Sequence, residues 1–165
     1  MSNLRYLALA GSVAALIASN APALAGPGEP GHSHGKAGFS AGEPGDAKKP
    51  ARIVPVTMKE TADGKMLYFP SSIDVKKGEQ VRFVVTNAGA LPHEFVLAST
   101  DDNLKHAELM KKFPEMEHDD PNSKTLQPKQ KAEILWRFSK GGTFEFACLI
   151  PGHREAGMLG HVSVK

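Results

Sequence analysis

Near the carboxyl end the chain reads Cys148-Leu149-Ile150-Pro151-Gly152-His153-Arg154-Glu155-Ala156-Gly157-Met158. A thiol, an imidazole and a thioether thus fall within eleven residues, spaced C-x4-H-x4-M. Thiolate and thioether are soft donors and imidazole is borderline, a set that suits copper; trigonal Cys/His₂ with a long axial Met is the geometry of blue copper sites. Zinc takes Cys and His but seldom thioether sulfur, and calcium or magnesium would want oxygen. The turn pair Pro151-Gly152 lets the loop fold back so that Cys148 and His153 converge, and Gly157 permits the backbone angle that brings Met158 in beside them. Taken singly, each residue has a plainer reading. Cys148 is a small buried hydrophobe, His153 a polar loop residue, and Met158 a core filler.

A copper site of this kind needs a second imidazole. His93, in Ala90-Leu91-Pro92-His93-Glu94-Phe95, follows a turn and opens an apolar strand, where an adjacent strand could hold it against the loop.

Cys148 is the single cysteine, which excludes a disulfide framework, a four-thiolate zinc site, an iron–sulfur cluster and a two-cysteine copper centre. Twenty Lys/Arg against 18 Asp/Glu leave a net charge of +2, too balanced for nucleic-acid binding by counterion release. There is no Gly-rich phosphate loop and no Ser/His/Asp arrangement, so a catalytic role is not expected.

Residues 1–25 read as a secretory signal. Arg5 precedes the apolar run from Tyr6 to Ile17, and Ala23-Leu24-Ala25 supplies small residues for cleavage after Ala25. The run is too Ala-rich and short for a membrane anchor, so no stable membrane insertion is expected after cleavage. Export to an oxidising compartment, the periplasm, makes a lone thiol conspicuous. It is buried and inert, pairs with another molecule, or is held as a metal thiolate.

Residues 26–50 contain seven Gly and four Pro in 25 positions, with Phe39 the one large apolar side chain, and read as a disordered linker. His32 and His34 within it are either weak metal-capturing groups or solvated side chains.

From residue 51 short apolar runs alternate with turn residues. Strands are expected at 53–58, where Pro55 argues for an edge or bulge, at 66–69, around Ile73 and Val75, at 80–86, 94–98, 132–138, 143–147 and 161–164. Val81, Phe83 and Val85 alternate inward, as do Ala132, Ile134, Trp136 and Phe138. One helix is expected over 102–113, capped by Asp101 or Asp102 and stopped by Pro114, and a long polar loop over 114–130. Seven or eight strands predict an all-β, two-sheet sandwich over residues 51–165. Met110, Met116 and His118 could form a second soft site for Cu(I). His106 and His161 read as surface residues, and Met58 and Met66 as core filling.

The segments PHEFVL, GGTFEFACLIPGH and EAGMLGHVSV resemble the small blue copper proteins, the cupredoxin family that includes plastocyanin, azurin and rusticyanin, with loop spacing similar to rusticyanin. The resemblance implies a Greek-key β-sandwich and one type 1 copper per domain. His93, Cys148 and His153 would be its equatorial ligands and Met158 its weak axial one. The order of signal, His-containing tail and one such domain resembles the periplasmic CopI-like copper-tolerance proteins. Azurin-like members place Asn or Ser after the first His, where this chain has Glu94.

Two functions fit. One is copper tolerance, by binding copper and cycling it through one-electron redox. The alternative is a dedicated electron carrier to a respiratory reductase or oxidase. Either implies a transient redox or copper-transfer partner and a monomer. A multicopper oxidase would need several such domains.

Overall fold

Val81, Phe83 and Val85 are fully buried, and the computed structural model, which describes residues 38–113 and 120–165, shows what covers them. Among the described residues, ten strands form two five-stranded sheets. They are β1 (Glu43–Pro44), β2 (Arg52–Glu60), β3 (Met66–Phe69), β4 (Ser72–Val75), β5 (Gln80–Asn87), β6 (His93–Ala98), β7 (Ser123–Leu126), β8 (Lys131–Arg137), β9 (Gly142–Ala147) and β10 (Leu159–Val164). One sheet runs β1-β8-β5-β2-β3 and the other β4-β10-β9-β6-β7. The chain passes between the sheets after β3, β4, β5, β7 and β8, giving the Greek-key sandwich.

Alternation places the core. On β8, Ile134 and Trp136 point inward with Phe138 just beyond, and on β9 Phe144 and Phe146 do the same. Phe95 stacks on Phe146 with centroids 5.2 Å apart, and Tyr68 sets its edge against both rings. Each such ring, fully buried, stabilises the fold by about 1.5–3 kcal/mol. The sandwich therefore supplies a stiff base for whatever its loops carry.

Pro55 obeys the rule invoked for it in a local sense. β2 is an interior strand, but β3 covers only Thr57–Glu60, so Pro55 is paired on the β5 side alone, opposite Val84.

Three expectations need correction. The linker reading of residues 26–50 fails from Gly38 onward: Glu43 and Pro44 pair with Arg137 and Trp136, Ala41 is fully buried, and the Trp136 indole donates to the Ala41 carbonyl at 3.1 Å. Phe39 meets the same indole edge-on at 5.2 Å. The composition is turn-like, but a few residues that satisfy a buried tryptophan are enough to order the segment.

The polar loop over 114–130 contains β7, whose sequence SKTL shows no alternating apolar pattern; it is a strand because β6 offers it backbone partners from His93 to Val96. The helix, α1 (Thr100–Lys112), starts two residues early, and its cap is Ser99, whose hydroxyl accepts the Asp102 N–H at 3.2 Å. Asp101 and Asp102 instead fill the first turn, with Lys111 and Lys112 in the last, complementing the helix dipole.

Residues 1–25, His32, His34, Met116 and His118 lie outside the described residues. Met110 packs among Val96, Ala147 and Leu149. His106 is half-buried on α1, His161 is exposed on β10, and Met58 is a core residue.

Candidate metal centre

His93 is the first residue of β6 and Cys148 follows the last residue of β9, so adjacent antiparallel strands deliver both to one end of the sandwich. The loop between β9 and β10 supplies the rest, and its own backbone closes it. Cys148 N–H donates to the Met158 carbonyl at 3.1 Å, and Met158 N–H donates to the His153 carbonyl at 3.0 Å. His153 N–H turns back to Ile150 at 3.0 Å. Gly152 (φ +88°) and Gly157 (φ +101°) adopt left-handed angles that a side chain would strain, which is what the tight double turn requires.

Within this frame three donor atoms converge. His93 Nδ1 lies 3.2 Å from His153 Nδ1, which lies 3.3 Å from Cys148 Sγ. The donor atoms of the three residues all fall within 4.8 Å of one another. His93 and Cys148 are fully buried, while His153 is partly exposed and forms the edge of the site toward solvent. Met158 is fully buried as well, placed by its two backbone hydrogen bonds to Cys148 and His153.

The surroundings fit a thiolate held by a cation. Burial pushes the Cys148 thiol up to about 12, with the nearby Glu94 charge adding to the rise, so the metal-free site keeps its proton. Against this, Glu94 N–H donates to Cys148 Sγ at 3.3 Å and the Ile150 N–H also reaches the sulfur, two donors that would stabilise negative charge there. Burial, then the neighbouring His93, hold His153 below the usual imidazole range, leaving it neutral and able to ligate. With bonds of about 2.0–2.1 Å to imidazole and 2.3 Å to thiolate as a yardstick, donor pairs 3.2 and 3.3 Å apart are close enough for one ion to bridge.

Four further residues were not legible as site residues in the sequence. Glu60 ends β2, and its carboxylate meets the His93 Nε2 at 2.8 Å while accepting the Ala90 and Leu91 N–H groups at 2.9 Å each. Burial raises that carboxyl, but the two backbone donors and His93 outweigh it and bring it down to about 2. Asn87 shapes the same turn: its amide donates to the Leu91 and Leu126 carbonyls and its oxygen accepts the Gly89 N–H. On the other side Arg154 grips the buried Glu145 of β9 with two hydrogen bonds of 3.2 and 2.9 Å, locking the ligand loop to the sheet. Only proximity of polar residues to the C-x4-H-x4-M segment could have drawn attention to Arg154; nothing marks Glu60.

Glu94 is the residue where the chain departs from azurin-like members, and it still ties the two ligand-bearing elements together. Its Oε2 accepts the Leu149 N–H at 3.2 Å and its Oε1 the Thr125 hydroxyl at 3.3 Å. Its carbonyl accepts the Tyr68 hydroxyl, a buried phenol whose ionisation burial pushes well above the usual range.

A two-sheet Greek-key sandwich that gathers one thiol and two imidazoles at the β9–β10 loop is a cupredoxin. The chain belongs to the plastocyanin/azurin family of copper-binding proteins, whose family model matches residues 56–165. It is similar to the copper-resistant cuproprotein CopI of Rubrivivax gelatinosus, at 46% identity over 162 residues covering 93% of each chain. It is also similar to the copper-resistant cuproprotein CopI of Pseudomonas aeruginosa, at 36% identity with 81% of this chain and 85% of that one covered. Among solved structures, auracyanin B superposes with a TM-score of 0.60 over 76% of this chain and 96% of the other, at 22% identity, a likeness of fold alone. The cofactor is copper. Among the described residues, no helix is long and apolar enough to cross a membrane.

Proposed function

We propose that the chain is an exported, periplasmic type 1 copper protein serving copper tolerance, in which His93, Cys148, His153 and Met158 would hold the ion. The observation that carries this reading is the convergence of His93 Nδ1, His153 Nδ1 and Cys148 Sγ at one buried point. Its biological context is supported by similarity to proteins named copper-resistant cuproproteins, and its export by the form of residues 1–25.

A bound copper ion supplies one-electron redox between Cu(I) and Cu(II). The protein's own part is to hold the donors. Cys148 would release its proton to solvent on ligating, and the Glu94 and Ile150 N–H groups would steady the charge left on sulfur. His93 is locked from behind by Glu60, and Met158 by the loop backbone. A donor set held this firmly changes little between oxidation states, which favours rapid electron exchange. On this reading the protein is a non-enzymatic copper binder acting as a monomer with a transient partner.

The test is an absorption and electron-spin spectrum of the copper-loaded protein, expected to show intense visible sulfur-to-copper charge transfer. In cells, deletion of the gene is expected to cause copper sensitivity.

The partly exposed His153, together with exposed Leu91 and Pro92 just before His93 and exposed Pro151 in its own loop, favours a second reading as a dedicated electron carrier. In that case deletion would abolish one respiratory activity and leave copper tolerance intact.

A further inference from the structure

The geometry points to Glu60 as a positioning residue that fixes the tautomer of His93 before metal arrives and biases the centre toward the oxidised ion. This rests on the copper-centre reading above.

Glu60 stands on the far side of the His93 ring from Cys148 and His153, so it orients a ligand and is not one. Its Oε1 accepts the Leu91 N–H and its Oε2 the Ala90 N–H, both at 2.9 Å. With both oxygens acting as acceptors, the remaining contact, 2.8 Å to His93 Nε2, is made by an N–H of the ring. A neutral imidazole protonated at Nε2 has its lone pair at Nδ1, the atom that faces the other two donors. The carboxylate is itself seated in a fitted turn: a Cβ on Gly89 would stand 2.4 Å from Oε2. A carboxylate behind a ligating imidazole raises the ring's basicity. Its negative charge also favours a doubly charged ion over a singly charged one.

Loss of an outer-shell partner typically costs 10–100-fold in metal affinity. Glu60→Gln is therefore expected to weaken Cu(II) binding about tenfold with Cu(I) binding little changed, which for a one-electron couple raises the reduction potential by about 59 mV. Gly89→Ala, which displaces the carboxylate without removing it, is expected to shift the potential in the same direction. In the metal-free unmodified protein, nitrogen-15 NMR of the His93 ring is expected to show the proton on Nε2. A proton on Nδ1, or Glu60→Gln protein with unchanged Cu(II) affinity and potential, overturns the inference while the copper centre stands. An unmodified protein without thiolate-to-copper absorption overturns the centre itself, and this role with it.

Discussion

The backbone N–H of Glu94 donates to the sulfur of Cys148 at 3.3 Å across a sequence separation of 54 residues. The Glu94 carboxylate returns the link by accepting the Leu149 N–H at 3.2 Å. β6 and the ligand loop are thus stitched together on both sides of the thiol, and the residue that does it directly follows a proposed ligand. Removing the carboxylate by Glu94→Ala leaves the buried Leu149 N–H without its acceptor and is expected to destabilise the metal-free protein by about 1–3 kcal/mol. Glu94→Gln keeps an acceptor and should lose less. Urea midpoints of the two variants separate the outcomes; equal losses would mean that charge, not the hydrogen bond, holds this junction.

Ligand removal should be graded by position. Cys148→Ala is expected to abolish the visible charge-transfer band, since the sulfur is its source. His93→Ala should leave a cavity at the buried side of the site that takes up exogenous imidazole, restoring absorption. Met158→Leu should remain coloured with an altered potential. A Cys148→Ala protein with an unchanged spectrum would falsify the ligand assignment.

Copper binding ought to stabilise the fold, because the donor geometry exists only in the folded chain. At a free copper concentration about 100 times the dissociation constant the gain is about 2.7 kcal/mol, seen as a rise in thermal midpoint. In the metal-free protein the Cys148 thiol, fully buried and pushed up to about 12, is expected to react with alkylating agents at neutral pH at least ~100-fold more slowly than free cysteine. Rapid alkylation at pH 7 would contradict the burial.

Acid stability follows from two carboxylates. Burial opposes both shifts, but Glu60 is drawn from 4.5 to about 2 by Ala90, Leu91 and His93, and Glu79 is lowered by Arg52 and the Lys76 N–H. A depressed folded-state pKa means that the unfolded chain binds more protons in this range. For Glu60 the stabilisation is therefore complete above about pH 4.5 and is lost as pH falls toward 2, and Glu79 adds to it in the same direction. Glu60 is partly open to water, so its share is discounted to on the order of 1 kcal/mol. Glu60→Gln and Glu79→Gln should each flatten the decline of the metal-free midpoint between pH 5 and 2.

The amino-terminal boundary of the domain can be measured. A chain beginning at residue 51 loses β1, the Ala41 acceptor of the Trp136 indole and the Phe39 ring against it. It is expected to be less stable by about 2–4 kcal/mol than one beginning at residue 38. Equal urea midpoints would return residues 38–50 to the status of a linker.

The sandwich was readable from alternation because period-two burial is written locally: Val81, Phe83 and Val85, or Ile134, Trp136 and Phe138, declare a face whatever they pack against. The C-x4-H-x4-M segment was readable for the same reason, since one short loop carries three soft or borderline donors. Non-local pairing escaped. β7 is a strand only because β6 lies beside it, residues 38–50 are ordered by contacts with the distant β8, Trp136 and Gln80, and Ser99 caps α1 through the course of the backbone ahead of it. Glu60 shows the limit most clearly. Its role depends on β2 ending beneath the turn that carries Ala90, Leu91 and His93, a proximity across 33 residues that no local pattern encodes. Residue type and spacing determined which donors this chain could offer a metal. Tertiary structure decided which atoms of those donors face one another and what stands behind them, because hydrogen bonds and Coulomb forces act over a few ångströms of space and are indifferent to distance along the chain.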